Sequence, residues 1–440
     1  MGPFSRRKVL DLLRQYESRN VTCIADDGSW PIVWERASGV YVWDTEGKKY
    51  LDLTGGFGVA AAGHANPRVV QAGRKQMAKL LHAMGDVHPH ALKARLAREL
   101  SRMTFERWGR TGRTVSAAAF RAKTLFCNSG FEAVEAALKT TFLATGRREI
   151  IAFQDAYHGL GYGALNATHR GLFREPFRSQ LGRFGRFVPF PNNPSDLDSV
   201  ERSLRKLLRR GNTGAVVVEP IQGRGGINVP PLEFLPLLRR LCERYGALLV
   251  LDEIYTGFGR TGRWFACEHS RTVPDIICLG KAMSGGFPLS ACVGRADVMD
   301  KAWPRSAGEA MHTSTFLGHP VGCAMALAQI KEIASRNLVE RSALLGKDLM
   351  ATLACVKSTP KLELSVRGCG LMVGLEIRLN NGAPATHQTW RMITAMLEKG
   401  FILLPEGGDA NVISFTPPLT TSAVQLGCAV DTLAEILRRS

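Results

Sequence analysis

Reactive side chains follow predicted strands at several points of the chain. Lys281 comes directly after the apolar segment 276–279, and Asp252 ends the apolar segment "LLVLD". A lysine that is partly buried loses its proton more readily and becomes a nucleophile toward a carbonyl carbon. Ser129 and Gly130 stand where the apolar segment "TLFC" gives way to a predicted helix. The free backbone N–H groups and positive dipole of a helix start suit a phosphate.

Each of these features also has a plainer interpretation. Asn128 or Ser129 could simply cap the helix, and the acids Asp252 and Glu253 could cap another helix or bind a metal. No histidine or cysteine set lies near the acids in sequence, so we expect no metal site. An amine, a carboxylate and a phosphate site, each at a strand end, are the parts that a pyridoxal phosphate enzyme needs. Their order favours that chemistry over the separate interpretations.

A glycine-rich segment at 56–61 also matches the pattern G-x-G-x-x-A after a strand-like segment. No acidic residue follows about 20 positions later, and 63–67 ("GHANP") interrupts the helix that should follow. We therefore reject a dinucleotide site.

Strands that alternate with helices must position these groups. Apolar segments such as "EIIAF", "AVVVEPI", "ALLVLDEI" and "IICLG" alternate with helical segments such as "GFEAVEAALKTTFLAT". This order predicts an α/β fold with a mostly parallel central sheet. Short strands near the N-terminus and a mixture of strands and helices after about residue 320 predict a smaller α+β domain from both chain ends. We expect its parts at 1–75 and 326–440, with the large cofactor-binding domain at 76–325.

The composition limits partners and location. The chain has 45% apolar and 22% charged residues, as ordinary globular proteins do. Its formal charge of +18 makes nucleic acid binding a hypothesis to consider. However, the most basic segment, 201–210, is an amphipathic helix without interleaved aromatic residues, so we expect no nucleic acid partner. No apolar run is long enough to span a membrane. Ten scattered cysteines and the absence of a secretory signal predict a cytoplasmic location.

With these residues in view, the chain resembles the class III aminotransferases, which are pyridoxal phosphate enzymes of fold type I. The resemblance runs from about residue 30 to 425. It depends on "NSGFEAVEAALK" (128–139), "YHG" (157–159), "VVVEPIQG" (216–223), "LDEIYTGFGRTG" (251–262), "LGKAMSGGFPLSA" (279–291), "HTSTFLGHPVGCA" (312–324) and "FTPPL" (415–419).

The resemblance implies a role for each matched residue. Lys281 would form the Schiff base with the cofactor and then carry the proton between the substrate and cofactor carbons. Asp252 would keep the pyridine nitrogen protonated, because an ion pair in a poorly solvated site favours both charged forms. Tyr157 would stack on the cofactor ring, and Thr315 would reach the phosphate of the neighbouring subunit in a homodimer with shared active sites. The other implied cofactor contacts are Ser129, Gly130, Phe131, His158, Glu219 and Tyr255.

Two departures from the family pattern concern the substrate. Relatives that act on α-amino acids commonly have an arginine at the position of Ser414 and a glutamate at the position of Arg224, and these two pair when idle. Both have changed here, and leaving either charge alone would be costly. Carboxylate recognition would then move to Arg224 or another basic group, or the substrate would lack an α-carboxylate, as ω-amines, diamines and amino sugars do. Asp86 and His88 are further candidates for substrate contacts.

These observations predict a transaminase that moves an amino group between an amine donor and a keto or aldehyde acceptor. The alternative is an aminomutase or epimerase on the same scaffold, since both would use the same lysine and acid. A non-catalytic protein that kept the fold is disfavoured, because Lys281 and Asp252 are both intact.

Overall fold

The computed structural model describes residues 4–109 and 120–438. The strands of this part of the chain are β1 (Trp34–Ser38), β2 (Tyr41–Asp44), β3 (Lys49–Asp52), β4 (Ala122–Cys127), β5 (Glu149–Phe153), β6 (Gly185–Val188), β7 (Thr213–Val218), β8 (Leu248–Asp252), β9 (Ile276–Leu279), β10 (Ser290–Arg295), β11 (Leu362–Cys369), β12 (Met372–Leu379), β13 (Phe401–Ile402), β14 (Leu404–Glu406) and β15 (Val412–Phe415).

The helices of the same residues include several short turns. They are α1 (Arg6–Tyr16), α2 (Gly55–Gly58), α3 (Pro67–Lys79), α4 (Ala91–Met103), α5 (Phe105–Gly109), α6 (Gly130–Thr145), α7 (Gly171–Arg174), α8 (Leu197–Leu208), α9 (Phe234–Tyr245), α10 (Ala296–Ala302), α11 (Pro320–Ser335), α12 (Leu338–Ala354), α13 (Thr386–Glu398) and α14 (Ala423–Arg438).

The central sheet has seven strands in the order β4-β10-β9-β8-β7-β5-β6. β9, β8, β7, β5 and β6 are parallel, whereas β10 runs antiparallel to both β4 and β9. The carboxyl ends of β4, β5, β7, β8 and β9 therefore meet at one edge. The predicted α/β class with a mostly parallel sheet is confirmed.

The central strands of this sheet are buried on both faces, so they are apolar at successive rather than alternate positions. Ala215 and Val217 of β7 pack with α6, while Val216 and Val218 belong to the cluster on the opposite face that includes α9. Such burial on two faces explains the apolar runs of β7, β8 and β9 in the sequence.

Two smaller sheets involve the chain ends. One has the order β1-β2-β3-β13, and the other has the order β11-β12-β15-β14. β13 pairs in parallel with β3, which joins residues near 400 to residues near 50. The backbone N–H of Thr416, just after β15, donates to Leu53 O at 2.8 Å. The two ends of the chain are thus hydrogen-bonded together beside the central sheet. No helix among the described residues is long and apolar enough to cross a bilayer.

Candidate active site

A cavity of about 410 Å³ opens at the carboxyl edge of the central sheet. Its lining residues come from strand ends and from the loops that follow them: Gly130, Phe131, Tyr157, His158, Gly159, Leu160, Glu219, Arg224, Asp252, Ile254, Tyr255 and Lys281. Lys281 and Asp252 therefore face the same space, although they are far apart in the sequence. Open α/β sheets bind ligands at this edge.

Lys281 begins a single 3₁₀ turn after β9 and has a φ of 41°. This left-handed backbone is uncommon for a residue with a side chain and often marks a functional site. The ammonium nitrogen lies 4.0 Å from the centroid of the Tyr255 ring. Burial lowers the pKa of Lys281, and the negative charge of Asp252 only partly opposes that effect. The geometry supplies an amine that is easier to deprotonate than an exposed lysine.

Asp252 is held in place by two hydrogen bonds at the end of β8. His158 Nδ1 donates to Asp252 Oδ2 at 2.8 Å, and the backbone N–H of Ile254 donates to Oδ1 at 3.1 Å. Burial lowers the pKa of His158, but the hydrogen bond to Asp252 and its charge outweigh burial, so the pKa is raised overall. The buried Nε2 of His158 has no hydrogen-bond partner in residues 4–109 and 120–438. His158 thus orients the carboxylate.

Glu219 follows β7 and holds two neighbouring segments by their backbone. Its carboxylate accepts hydrogen bonds from Tyr157 N at 2.9 Å and from Gly223 N at 3.0 Å. Burial raises the pKa of Glu219 to about 7. One side chain therefore positions both the ring of Tyr157 and the turn that carries Arg224.

The Tyr255 ring separates Lys281 from the N-terminal segment. Its hydroxyl lies 3.1 Å from Thr416 Oγ1. Gly58, in the turn α2, has a φ of +78°, and a Cβ added there would lie 2.5 Å from the ring. The glycine-rich segment 56–61, rejected as a dinucleotide site, instead packs against this tyrosine. Close backbone approach explains the glycine at this position.

The start of α6 fits a phosphate group. Ser129 Oγ is buried and has no hydrogen-bond partner among the described residues. Glu132 accepts from the backbone N–H groups of Asn128 at 2.7 Å and Ser129 at 3.4 Å. The next two residues, Gly130 and Phe131, line the cavity and belong to the first helical turn, whose N–H groups have no acceptor within the helix. Ser290 Oγ donates to Ser129 O at 2.6 Å and fixes this loop. With Lys281 and Asp252 in the same cavity, the donor set fits pyridoxal phosphate.

The rim of the cavity carries an ion pair that includes a residue missed by the sequence analysis. Arg224 Nε lies 3.4 Å from Glu406 Oε2, and the arginine's Cζ lies 5.4 Å from the centroid of the Tyr157 ring. Burial raises the pKa of Glu406 to about 7, although the charge of Arg224 opposes the shift. Glu406 follows the apolar segment "FILLP", the same signal of an acid at a strand end that identified Asp252.

Other predicted residues lie outside the cavity of their own chain. Ser414 is buried in β15 opposite Leu404, and its hydroxyl makes no hydrogen bond to any described residue. Asp86 and His88 are exposed, and Thr313 Oγ1 donates to Asp86 Oδ2 at 2.6 Å. Thr315 is exposed as well. The predicted roles of these residues toward substrate or a neighbouring subunit stay predictions.

The acid next to Asp252 has a different environment. Glu253 is fully buried and accepts hydrogen bonds from Thr256 Oγ1 at 2.5 Å and from the backbone N–H groups of Ala266 and Cys267, each at 2.8 Å. It therefore holds the loop after β8 together, and the paired acids of the sequence divide into one site residue and one structural residue.

Comparison with known proteins agrees with this site. The sequence profile of the family "Aminotransferase class-III" matches residues 24–437. Acetylornithine aminotransferase of Methanosarcina acetivorans is 35% identical to the chain over 93% of its length and 92% of the relative's. 5-Aminovalerate aminotransferase of Pseudomonas aeruginosa is also 35% identical, over 92% and 93% of the two lengths. Neither relative is named as an aminomutase or an epimerase.

A solved structure extends the comparison to the fold. The amine transaminase from an uncultivated Pseudomonas species, solved in its pyridoxal phosphate-bound form, superposes with a TM-score of 0.85. The two sequences are 28% identical, and the match covers 97% of this chain and 98% of the other. The resemblance inferred from the motifs, the cofactor and the fold type are confirmed.

Proposed function

Because the chain belongs to the class III aminotransferases and is a pyridoxal phosphate-dependent transaminase, we propose that it transfers a terminal amino group of an ω-amine donor, with Lys281 and Asp252 as catalytic residues. The observation that carries the assignment is the shared cavity, in which both side chains face the same space. The proposed cofactor contacts are Ser129, Gly130, Phe131, Tyr157, His158, Glu219 and Tyr255.

The cofactor, when bound, supplies an aldehyde carbon that bonds to the substrate's nitrogen and a ring that accepts electrons as the C–H bond breaks. In this scheme Lys281 Nζ removes and returns the proton, because its lowered pKa leaves more of the amine unprotonated. Asp252 would hold the ring nitrogen of the cofactor, while His158 keeps the carboxylate in place. Ser129 and the N–H groups at the start of α6 would bind the phosphate.

The donor's chemistry is inferred from Arg224 and Ser414. A buried serine replaces the arginine that would grip an α-carboxylate, while Arg224 at the rim donates no hydrogen bond to the described chain. Arg224 would then hold a substrate carboxylate in the cavity that also contains Lys281. One relative is named for 5-aminovalerate, a compound whose amino group and carboxylate stand at opposite ends. We therefore propose a donor of that shape.

A homodimer with shared active sites is proposed as the working state. Exposed apolar side chains lie in the loop of the exposed Thr315 and in segment 84–87, which the Asp86–Thr313 hydrogen bond links to that loop, and a subunit interface could cover them. They include Met84, Val87, Met311 and Phe316. A cytoplasmic location is proposed too, since all ten cysteines are free thiols and most of them are buried.

A single-turnover assay of the donor half-reaction tests the proposal. It compares 5-aminovalerate, pentylamine, alanine and glucosamine as donors to the holoenzyme and measures release of the aldehyde or keto product. We expect 5-aminovalerate to react at least about tenfold more efficiently than alanine. In Arg224→Gln the apparent KM for 5-aminovalerate should rise about 10- to 100-fold, because a charge-assisted hydrogen bond contributes about 1.5–3 kcal/mol. Pentylamine, which has the same chain length without the carboxylate, should be nearly unaffected.

Arg202→Gln, an exposed arginine on α8, serves as the matched control and should behave as the wild type. A preference for alanine or glucosamine, or an unchanged substrate profile in Arg224→Gln, would contradict the proposed donor.

A further inference from the structure

The guanidinium of Arg224 has a buried side and an open side. Its Nε is buried and lies 3.4 Å from Glu406 Oε2, yet neither atom makes a hydrogen bond within the part of the chain that the structure describes. The side chain of Arg224 is 35% exposed, whereas that of Glu406 is 4% exposed. A ligand in the cavity can therefore reach Arg224 but not Glu406, which stands behind it.

The backbone keeps these two side chains together. Gly407 N donates to Arg224 O at 3.1 Å, which links the end of β14 to the turn after β7. Arg367 donates to Gly226 O at 2.7 Å and to Ile227 O at 3.0 Å, so the same turn is held from its other end. Binding of a ligand to Arg224 must therefore occur with Glu406 still beside it.

Glu406 is poised between its charged and neutral forms. Burial favours the neutral acid and raises its pKa to about 7, whereas nearby cations favour the carboxylate. The charged and titratable groups that act on it from the surrounding elements are Arg224, Lys281, Arg170, Tyr157 and Tyr255. Because the three cations offset part of the effect of burial, a competing anion on Arg224 would weaken their support for the carboxylate form.

We propose that Glu406 takes up one proton when a substrate carboxylate binds Arg224, so that the rim exchanges one carboxylate for another without burying a second negative charge. The charges balance: the pair Arg⁺/Glu⁻ with one carboxylate and one proton becomes Arg⁺/carboxylate⁻ with a neutral Glu406. This inference rests on the proposed role of Arg224. A substrate without a carboxylate would bind without proton uptake.

The sign of the pH dependence follows from linkage. Below about pH 7 Glu406 is already protonated, so binding of a carboxylate takes up few protons and the affinity for that carboxylate is highest. Above that pH the proton must come from solvent, and the affinity for a carboxylate should fall toward about tenfold per pH unit. Affinity for a neutral ligand should not change through this group.

Isothermal titration calorimetry of the holoenzyme tests the proposal with an unreactive probe. Glutarate is titrated at pH 6 and pH 8 in two buffers of different ionisation enthalpy, and glutaramide is the neutral probe. We expect uptake to approach one proton at pH 8, to be near zero at pH 6, and to be absent with glutaramide. Glu406→Gln should remove the uptake at pH 8, while Glu363→Gln, an exposed acid on the same sheet, should retain it.

The outcomes separate this inference from the proposed function. Equal uptake in Glu406→Gln would identify another proton acceptor and overturn the inference, as would an absence of uptake in the wild type. In the latter case a weaker glutarate affinity in Arg224→Gln would still support the proposed carboxylate site. If Arg224→Gln binds glutarate as the wild type does, the proposed site itself fails. The wild-type titrations at two pH values need no variant, so an absence of proton uptake overturns the inference even if Glu406→Gln folds poorly.

Discussion

The floor and the rim of the cavity are built in different ways. The floor consists of Lys281, Asp252, His158 and Glu219, which lie at or after the ends of strands of one sheet. Short hydrogen bonds fix the side chains of Asp252, His158 and Glu219, such as the 2.8 Å contact between His158 and Asp252. The rim pair joins a loop after β7 to a strand of another sheet, and its atoms approach without hydrogen-bonding. The sheet therefore holds the proposed catalytic residues in fixed positions, whereas the loops between sheets carry the residues that we propose determine substrate preference.

The largest effect should come from the floor. Lys281→Ala removes the amine that we propose bonds to the cofactor and moves the proton, so kcat should fall by about 10⁴-fold. The loss should be equal for 5-aminovalerate and pentylamine, unlike the selective effect expected at Arg224. Cofactor should still bind through the phosphate site, which equilibrium dialysis measures. Lys399→Ala, an exposed lysine, is the control. Turnover within tenfold of the wild type in Lys281→Ala would refute the floor assignment.

A smaller effect should separate two adjacent acids. Asp252→Asn keeps the shape but removes the charge opposite the ring nitrogen, so kcat should fall by about 10²–10³-fold with little change in thermal stability. Glu253→Gln should change kcat little but lower thermal stability, since it weakens three buried hydrogen bonds. The loss should be about 2 kcal/mol of unfolding free energy. Rapid-reaction kinetics and thermal unfolding of both variants measure the two effects. Similar defects in both variants would show that the division between them is wrong.

Much of the fold could be predicted, because it depends on periodicity within short windows. The helix predicted at "GFEAVEAALKTTFLAT" coincides with α6, Gly130–Thr145. The strands predicted at "EIIAF" and "IICLG" are β5 and β9. Short apolar runs that alternate with helical segments are typical of strands buried on both faces. The division into domains at 75 and 325 stays a prediction.

The site could be predicted only where one residue carried its own signal. Lys281 and Asp252 each follow an apolar strand, so their shared edge could be inferred from parallel topology. The pairing of Arg224 with Glu406 could not be predicted from the sequence. It joins the turn after β7 to β14, which are far apart in the sequence, and β14 takes its place in the fold by pairing with β15. Gly58 was missed for a similar reason, since its contact with Tyr255 lies across two distant parts of the chain.

The most direct test asks which nitrogen carries the cofactor. Borohydride reduction of the holoenzyme fixes the cofactor to the side chain to which it is bonded, and peptide mass spectrometry then locates the added mass. We expect the label on Lys281, in the peptide that contains "CLGKAMSGG". A label on another lysine, or no label in protein that has taken up the cofactor, would contradict it.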